Sequence, residues 1–175
     1  KNFDPEFYFQ QQVTIINTFE QLPKQEAPKA KSYTLQFFPE GGSLLAGIAS
    51  NVAFKISDNQ NGKGAALVGQ VLNQEGDTVA VLAPHKFGMG RFAFTPQQGK
   101  RYTAKLQLPD GSTLEQALPQ VHERGYTLQL ADSTDQYLHL LVRSVGKPDE
   151  QVYLLGHTRQ QVVSSERALL QNGRY

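Results

Sequence analysis

Between Tyr33 and Leu118, short β-prone runs alternate with turn residues at intervals of about eight to twelve positions, the spacing of a β-sandwich. No other feature constrains the fold as strongly. The runs are Tyr33–Phe38, Ser43–Gly47, Asn51–Ser57, Leu67–Asn73, Thr78–Ala83, Arg91–Thr95, Tyr102–Leu108 and Thr113–Leu118. Between them stand Glu40–Gly41–Gly42, Asn59–Gln60–Asn61–Gly62, Glu75–Gly76–Asp77, Gln98–Gly99–Lys100 and Pro109–Asp110–Gly111. Asp110–Gly111 is the strongest hairpin signal, read as a two-residue turn in which glycine supplies positive φ cheaply. Asn61–Gly62 is a second candidate on a longer loop.

The pattern restarts after Pro119–Arg124. Tyr126–Leu130, Tyr137–Arg143, Gln151–Leu155 and Gln160–Ser165 read as four more strands, and Thr158–Leu170 has helix-friendly residues but fits a strand at least as well. The tetrapeptide Tyr-Thr-Leu-Gln at Tyr33–Gln36 returns at Tyr126–Gln129, as a tandem array would give. The second copy then has about half the length that a sandwich needs. At the other end, Phe7, Phe9, Gln11, Val13 and Ile15 share one parity, which predicts a strand with one buried face. A stretch with Pro23, Pro28 and several lysines follows and lacks apolar periodicity. The expected organisation is therefore a strand of a preceding module over 1–19, a linker over 20–32, a complete sandwich over 33–119 and a partial one over 125–175. The fold class is all-β, an immunoglobulin-like or macroglobulin-like antiparallel sandwich.

Composition narrows function mainly by exclusion. Apolar residues at 39% are enough for a core. Seventeen basic against sixteen acidic side chains leave a net charge of +1, with no basic excess for a phosphate backbone. Nucleic acid is therefore not an expected partner. No apolar run is long enough to span a bilayer as a helix. The chain has no cysteine, hence no thiolate nucleophile and no Cys-ligated metal.

His85, His122, His139 and His157 show no metal-ligating spacing, and Ser43 lies outside a nucleophile elbow. Asp58–Gly62 resembles a calcium loop only superficially, because no glutamate closes it at the right distance. Gly62–Lys63–Gly64 and Gly88–Met89–Gly90 lack the strand-to-helix setting of phosphate cradles; the second reads as a bend before Phe92 and Phe94. Tyr8, Tyr33 and Tyr137 are the aromatics that a sugar surface would use. No catalytic residue, cofactor site or metal site is assigned. Phe37 or Phe38, with Val52, Phe54, Val71, Phe92, Phe94 and Tyr102, is expected to form one core.

The run Leu35–Leu44, with its Phe37–Phe38–Pro39–Glu40–Gly41–Gly42 centre, carries a family resemblance. Asn51–Lys55, Gly69–Gln70–Val71, Gly88–Pro96 and Gly99–Tyr102 carry it further. Together they resemble the macroglobulin-like sandwich modules of large bacterial envelope proteins related to alpha-2-macroglobulin, some of which also bear a TonB-receptor-type plug domain. The resemblance implies a scaffold or protein-binding surface of a larger exported or outer-membrane-associated protein, in the periplasm or at the outer-membrane surface. Its partner would be another domain of the same chain or an outer-membrane protein. The family's thioester requires a cysteine that this chain lacks. A free-standing module binding a glycan or a peptide is the competing expectation.

Overall fold

The computed structural model describes residues 32–147 and 149–175. The expected upstream strand and all of the linker except Ser32 lie outside these residues.

Seven strands build two sheets. Strands β1 (Tyr33–Pro39), β3 (Ser50–Asp58) and β6 (Met89–Phe94) pair antiparallel in the order β1-β3-β6. Strands β4 (Gly69–Leu72), β5 (Thr78–Leu82), β7 (Thr103–Gln107) and β8 (Thr113–Ala117) form the second sheet, in the order β5-β4-β7-β8. Alternation along β3 shows why they stack. Ser50, Val52, Phe54, Ile56 and Asp58 point inward, while Asn51, Ala53 and Lys55 face water. The inward residues meet Leu35, Phe92 and Phe94 of their own sheet, and Val71, Leu82, Ala104 and Leu106 of the other, in one cluster. The described residues are all-β, and these seven strands are arranged as a three-on-four antiparallel sandwich.

The expected core residues Val52, Phe54, Val71, Phe92, Phe94 and Tyr102 all lie in that cluster. Register resolves the choice between Phe37 and Phe38. Phe37 sits opposite Phe54 and packs edge-on to Phe92, with ring centroids 6.2 Å apart. Phe38 points the other way and is 54% exposed. Aromatic contacts continue from Phe92 to Phe94 at 5.8 Å and from Phe94 to Tyr102 at 5.0 Å. The Tyr102 hydroxyl accepts the Gln97 N–H at 2.9 Å, which satisfies its polar end. Ser50 has no such partner: its hydroxyl is buried at 2% exposure without a hydrogen bond. Removing an unsatisfied buried group relieves its desolvation cost, so Ser50→Ala should raise stability by about 1 kcal/mol in urea denaturation. A loss of stability would show that the hydroxyl has a partner in solution.

The β7–β8 turn differs from the expected two-residue form. Leu108 N–H donates to Ser112 O at 2.8 Å, and Gly111 N–H donates to Leu108 O at 3.0 Å, so three residues form the loop. Pro109 is the cause. A two-residue turn would pair Pro109 with Ser112, and proline has no N–H to donate, so the closing pair moves out by one. Gly111 then takes the left-handed position at φ 83°. Likewise, the strand expected over Ser43–Gly47 shrinks to β2 (Leu44–Leu45), which pairs in parallel with β9 (Val121–His122).

Beyond β9 the chain makes two hairpins. Strand β10 (Gly125–Ser133) pairs with β11 (Leu138–Val145), and β12 (Gln151–Thr158) with β13 (Gln161–Leu169). The stretch weighed between helix and strand is thus strand β13. The β10–β11 hairpin is seated on the sandwich through Glu40. The Leu130 N–H donates to the Glu40 carboxylate at 3.1 Å, and Thr127 Oγ1 donates to the Glu40 carbonyl at 3.3 Å. The Gln129 side-chain amide donates to the Ala49 carbonyl at 2.8 Å. The Asn51 amide holds the other Glu40 oxygen at 2.8 Å, fixing the carboxylate from both sides.

Candidate functional site

The histidines that suggested chemistry in the sequence lie on separate elements. His85 closes the turn before β6, donating its backbone N–H to Met89 O at 2.7 Å. His122 belongs to β9, His139 to β11 and His157 to β12. Among the described residues no three His, Asp or Glu side chains are grouped to hold a metal. In the calcium-like loop the Asp58 carboxylate accepts the Gln60 N–H at 2.8 Å and the Asn61 amide at 3.3 Å. Both oxygens serve the turn itself. The pair Gly62–Lys63–Gly64 and Gly88–Met89–Gly90 meets at a backbone crossing: a Cβ on Gly64 would fall 1.8 Å from Phe87 O, and one on Gly88 2.1 Å from Ile56 O. These glycines permit close packing of the two backbone segments.

Tyr8 lies outside the described residues, Tyr33 is half-buried at the start of β1, and Tyr137 is exposed beside β11. A shallow groove of about 770 Å³ runs between Gly99–Thr103 and Ala117–Glu123. Lys100 and His122 line it, and Lys100 is engaged by Glu75, whose carboxyl the ammonium holds below the ordinary value. Asp110 is likewise lowered by the Ser112 hydroxyl and N–H, and the Tyr175 phenol is raised by donating to Glu166. Each shift belongs to an exposed surface pair at a separate place.

The surface that stands out is apolar. Across β10 and β11, Leu128 is opposite Val142 and Leu130 opposite Leu140, so these side chains share one face with Leu138. Val142 is buried, but the four leucines are between 43% and 67% exposed. The β12–β13 hairpin adds Tyr153, Leu155 and Leu169 on one face, all more than half exposed. Among the described residues of 125–175, three hydrophobic side chains are buried, Val142, Ala168 and Leu170, and eleven large ones are exposed. The sandwich shows the reverse proportion.

Tyr126–Leu130 and Tyr137–Arg143 were legible as strands, and Glu40–Gly41–Gly42 as a turn. The second role of that turn, as the seat of β10, had no sequence signal. Gly41 lies so close that a Cβ there would be 2.7 Å from the Leu128 nitrogen.

No helix among the described residues is long and apolar enough to cross a membrane. Comparison with models of protein families, with curated proteins and with solved structures gives no match.

Proposed function

We propose that the chain is a non-catalytic structural and interaction module of a larger exported or outer-membrane-associated protein of the bacterial envelope. In this reading residues 33–119 are a macroglobulin-like sandwich and residues 125–175 begin a second. The observation that carries it is the leucine face of β10–β11, which buries too little apolar surface for two hairpins to stand alone. The occupant that fits is the rest of the second sandwich: further strands whose inward parity is apolar and would cover Leu128, Leu130, Leu138 and Leu140. The three-on-four strand order and the core placement of Phe92 and Phe94 support the macroglobulin-like assignment of the first module.

The test is the mass and location of the native protein, by immunoblot of fractionated source cells. A band far above 19.4 kDa in the envelope fraction is expected, and one near 19.4 kDa in the soluble fraction would overturn the reading. The same face predicts a selective effect in the isolated chain. Leu130→Glu with Leu140→Glu should change the stability of the sandwich by less than about 1 kcal/mol, since both sites are already solvated. It should also abolish binding of a hydrophobic dye and self-association. A cooperative loss of the whole fold would mean that the face is already covered.

A further inference from the structure

We infer that Arg143 and Arg174 form a binding site for a doubly charged oxyanion of the phosphate class. Past β13 the chain turns tightly at Gln171–Arg174, with Asn172 and Gly173 both left-handed at φ 51° and 74°. The residues after the turn run antiparallel along the free edge of β11. Val142 and Tyr175 exchange both backbone hydrogen bonds, at 2.8 and 3.0 Å, and Ser144 N–H donates to Gly173 O at 2.8 Å. These bonds leave Arg143 opposite Arg174 as the non-hydrogen-bonded pair between them. In such a pair the Cα atoms approach to about 4.5 Å and the side chains leave the same face side by side.

The two arginine side chains therefore leave one face of the strand pair, and neither has an ion-pair partner among the described residues. No carboxylate lies within 4.0 Å of either among the described residues, where the ion pairs are Lys100–Glu75, Lys105–Glu115 and Lys147–Glu150. The nearby acids are engaged elsewhere: Asp149 accepts the Asn172 N–H at 3.3 Å, and Glu166 accepts the Tyr175 hydroxyl. Like charges directly opposite destabilise a strand pair. Moreover, the Arg143 Nε–H is buried without an acceptor, which leaves that guanidinium short of hydrogen bonds beside a like charge and raises the gain from an anion at its exposed end.

Arg174 is exposed, so the pair is open to solvent on that side. The ligand that answers both features carries close to two negative charges and several acceptor oxygens, and forked N–H donors match that geometry. Phosphate meets both requirements. It would be free in solution or the headgroup of an anionic lipid. The inference does not depend on the proposed scaffold function.

The test follows the arginine Nε–H resonances of the whole chain by NMR during titration with inorganic phosphate, against sodium chloride at equal ionic strength. A saturable shift of Arg143 with phosphate alone is expected, weakened by about tenfold in Arg174→Gln, which loses one charge-assisted hydrogen bond. Arg174 is exposed, so Arg174→Gln should fold, and it should melt no lower than the parent because it removes a repulsion. Equal shifts in chloride and phosphate, or an undiminished response in Arg174→Gln, would overturn the site. Co-sedimentation with phosphatidate vesicles, lost in Arg174→Gln, would identify the headgroup as the source; a phosphate response without vesicle binding would identify the free ion.

Discussion

Phe54→Ala should destabilise the protein by about 3–5 kcal/mol, measured as the loss in urea unfolding free energy, because it empties the centre of the sandwich. The ring is 1% exposed, lies 6.3 Å from Phe92, and stands in the middle strand of its sheet, between Phe37 on β1 and Gly90 on β6. A domain of this size is stable by about 5–15 kcal/mol, so the variant would sit near the edge of folding. Phe94→Ala should cost a comparable amount through its contacts with Phe92 and Tyr102. Phe38→Ala, one residue from a core position, should cost less than about 1 kcal/mol because the ring is already in water. Similar losses for Phe38 and Phe54 would mean that the register of β1 on β3 is wrong, since a slip by one residue exchanges the two faces.

That contrast marks what could be read in the sequence. Strand positions and the aromatic core follow from period-two alternation between turn residues, and both signals are local. Phe37 and Phe38 could not be separated, because adjacent residues of equal hydrophobicity differ only in which face of the sheet they take, and both meet β3. The turn at Asp110–Gly111 was legible as a turn; its length depended on the missing N–H of Pro109. Asn172–Gly173 carries the preferred dipeptide of a tight hairpin, and both residues are left-handed. Arg159 and Gln160 occupy the same left-handed pair of positions, at φ 47° and 66°, with no glycine or asparagine to announce it.

The candidate surfaces were less legible for a related reason. The leucines of β10 and β11 are as regular as those of the sandwich, and regularity alone predicts burial. Whether a covering strand exists is a property of another segment, which the alternating run itself does not encode. The arginine pair is more remote still. It arises because a tight turn returns Arg174 to the edge of β11, joining residues that lie far apart in sequence and that carry no shared motif.

Gly90→Ala should cost about 2–3 kcal/mol, and most of that cost should vanish when Phe54 is also shortened. The backbone at Gly90 is not left-handed, so the penalty is steric and not conformational. Gly90 is the direct cross-strand partner of Phe54, whose ring lies over it: an added Cβ would fall 2.5 Å from the ring Cζ and 2.8 Å from the Ala83 carbonyl oxygen. Glycine on β6 thus leaves the space that an aromatic ring on β3 fills, and the two residues form one packing unit. In the Phe54→Leu background the branched side chain ends short of Gly90, so the methyl group of alanine enters space that the ring vacates. The double-mutant cycle should then give a coupling of about 1–2 kcal/mol, with the double variant more stable than the sum of the single losses predicts. The residual cost should reflect the Ala83 carbonyl, which shortening Phe54 does not move. Strict additivity would place the Gly90 penalty entirely on that carbonyl and separate the glycine from the ring that covers it.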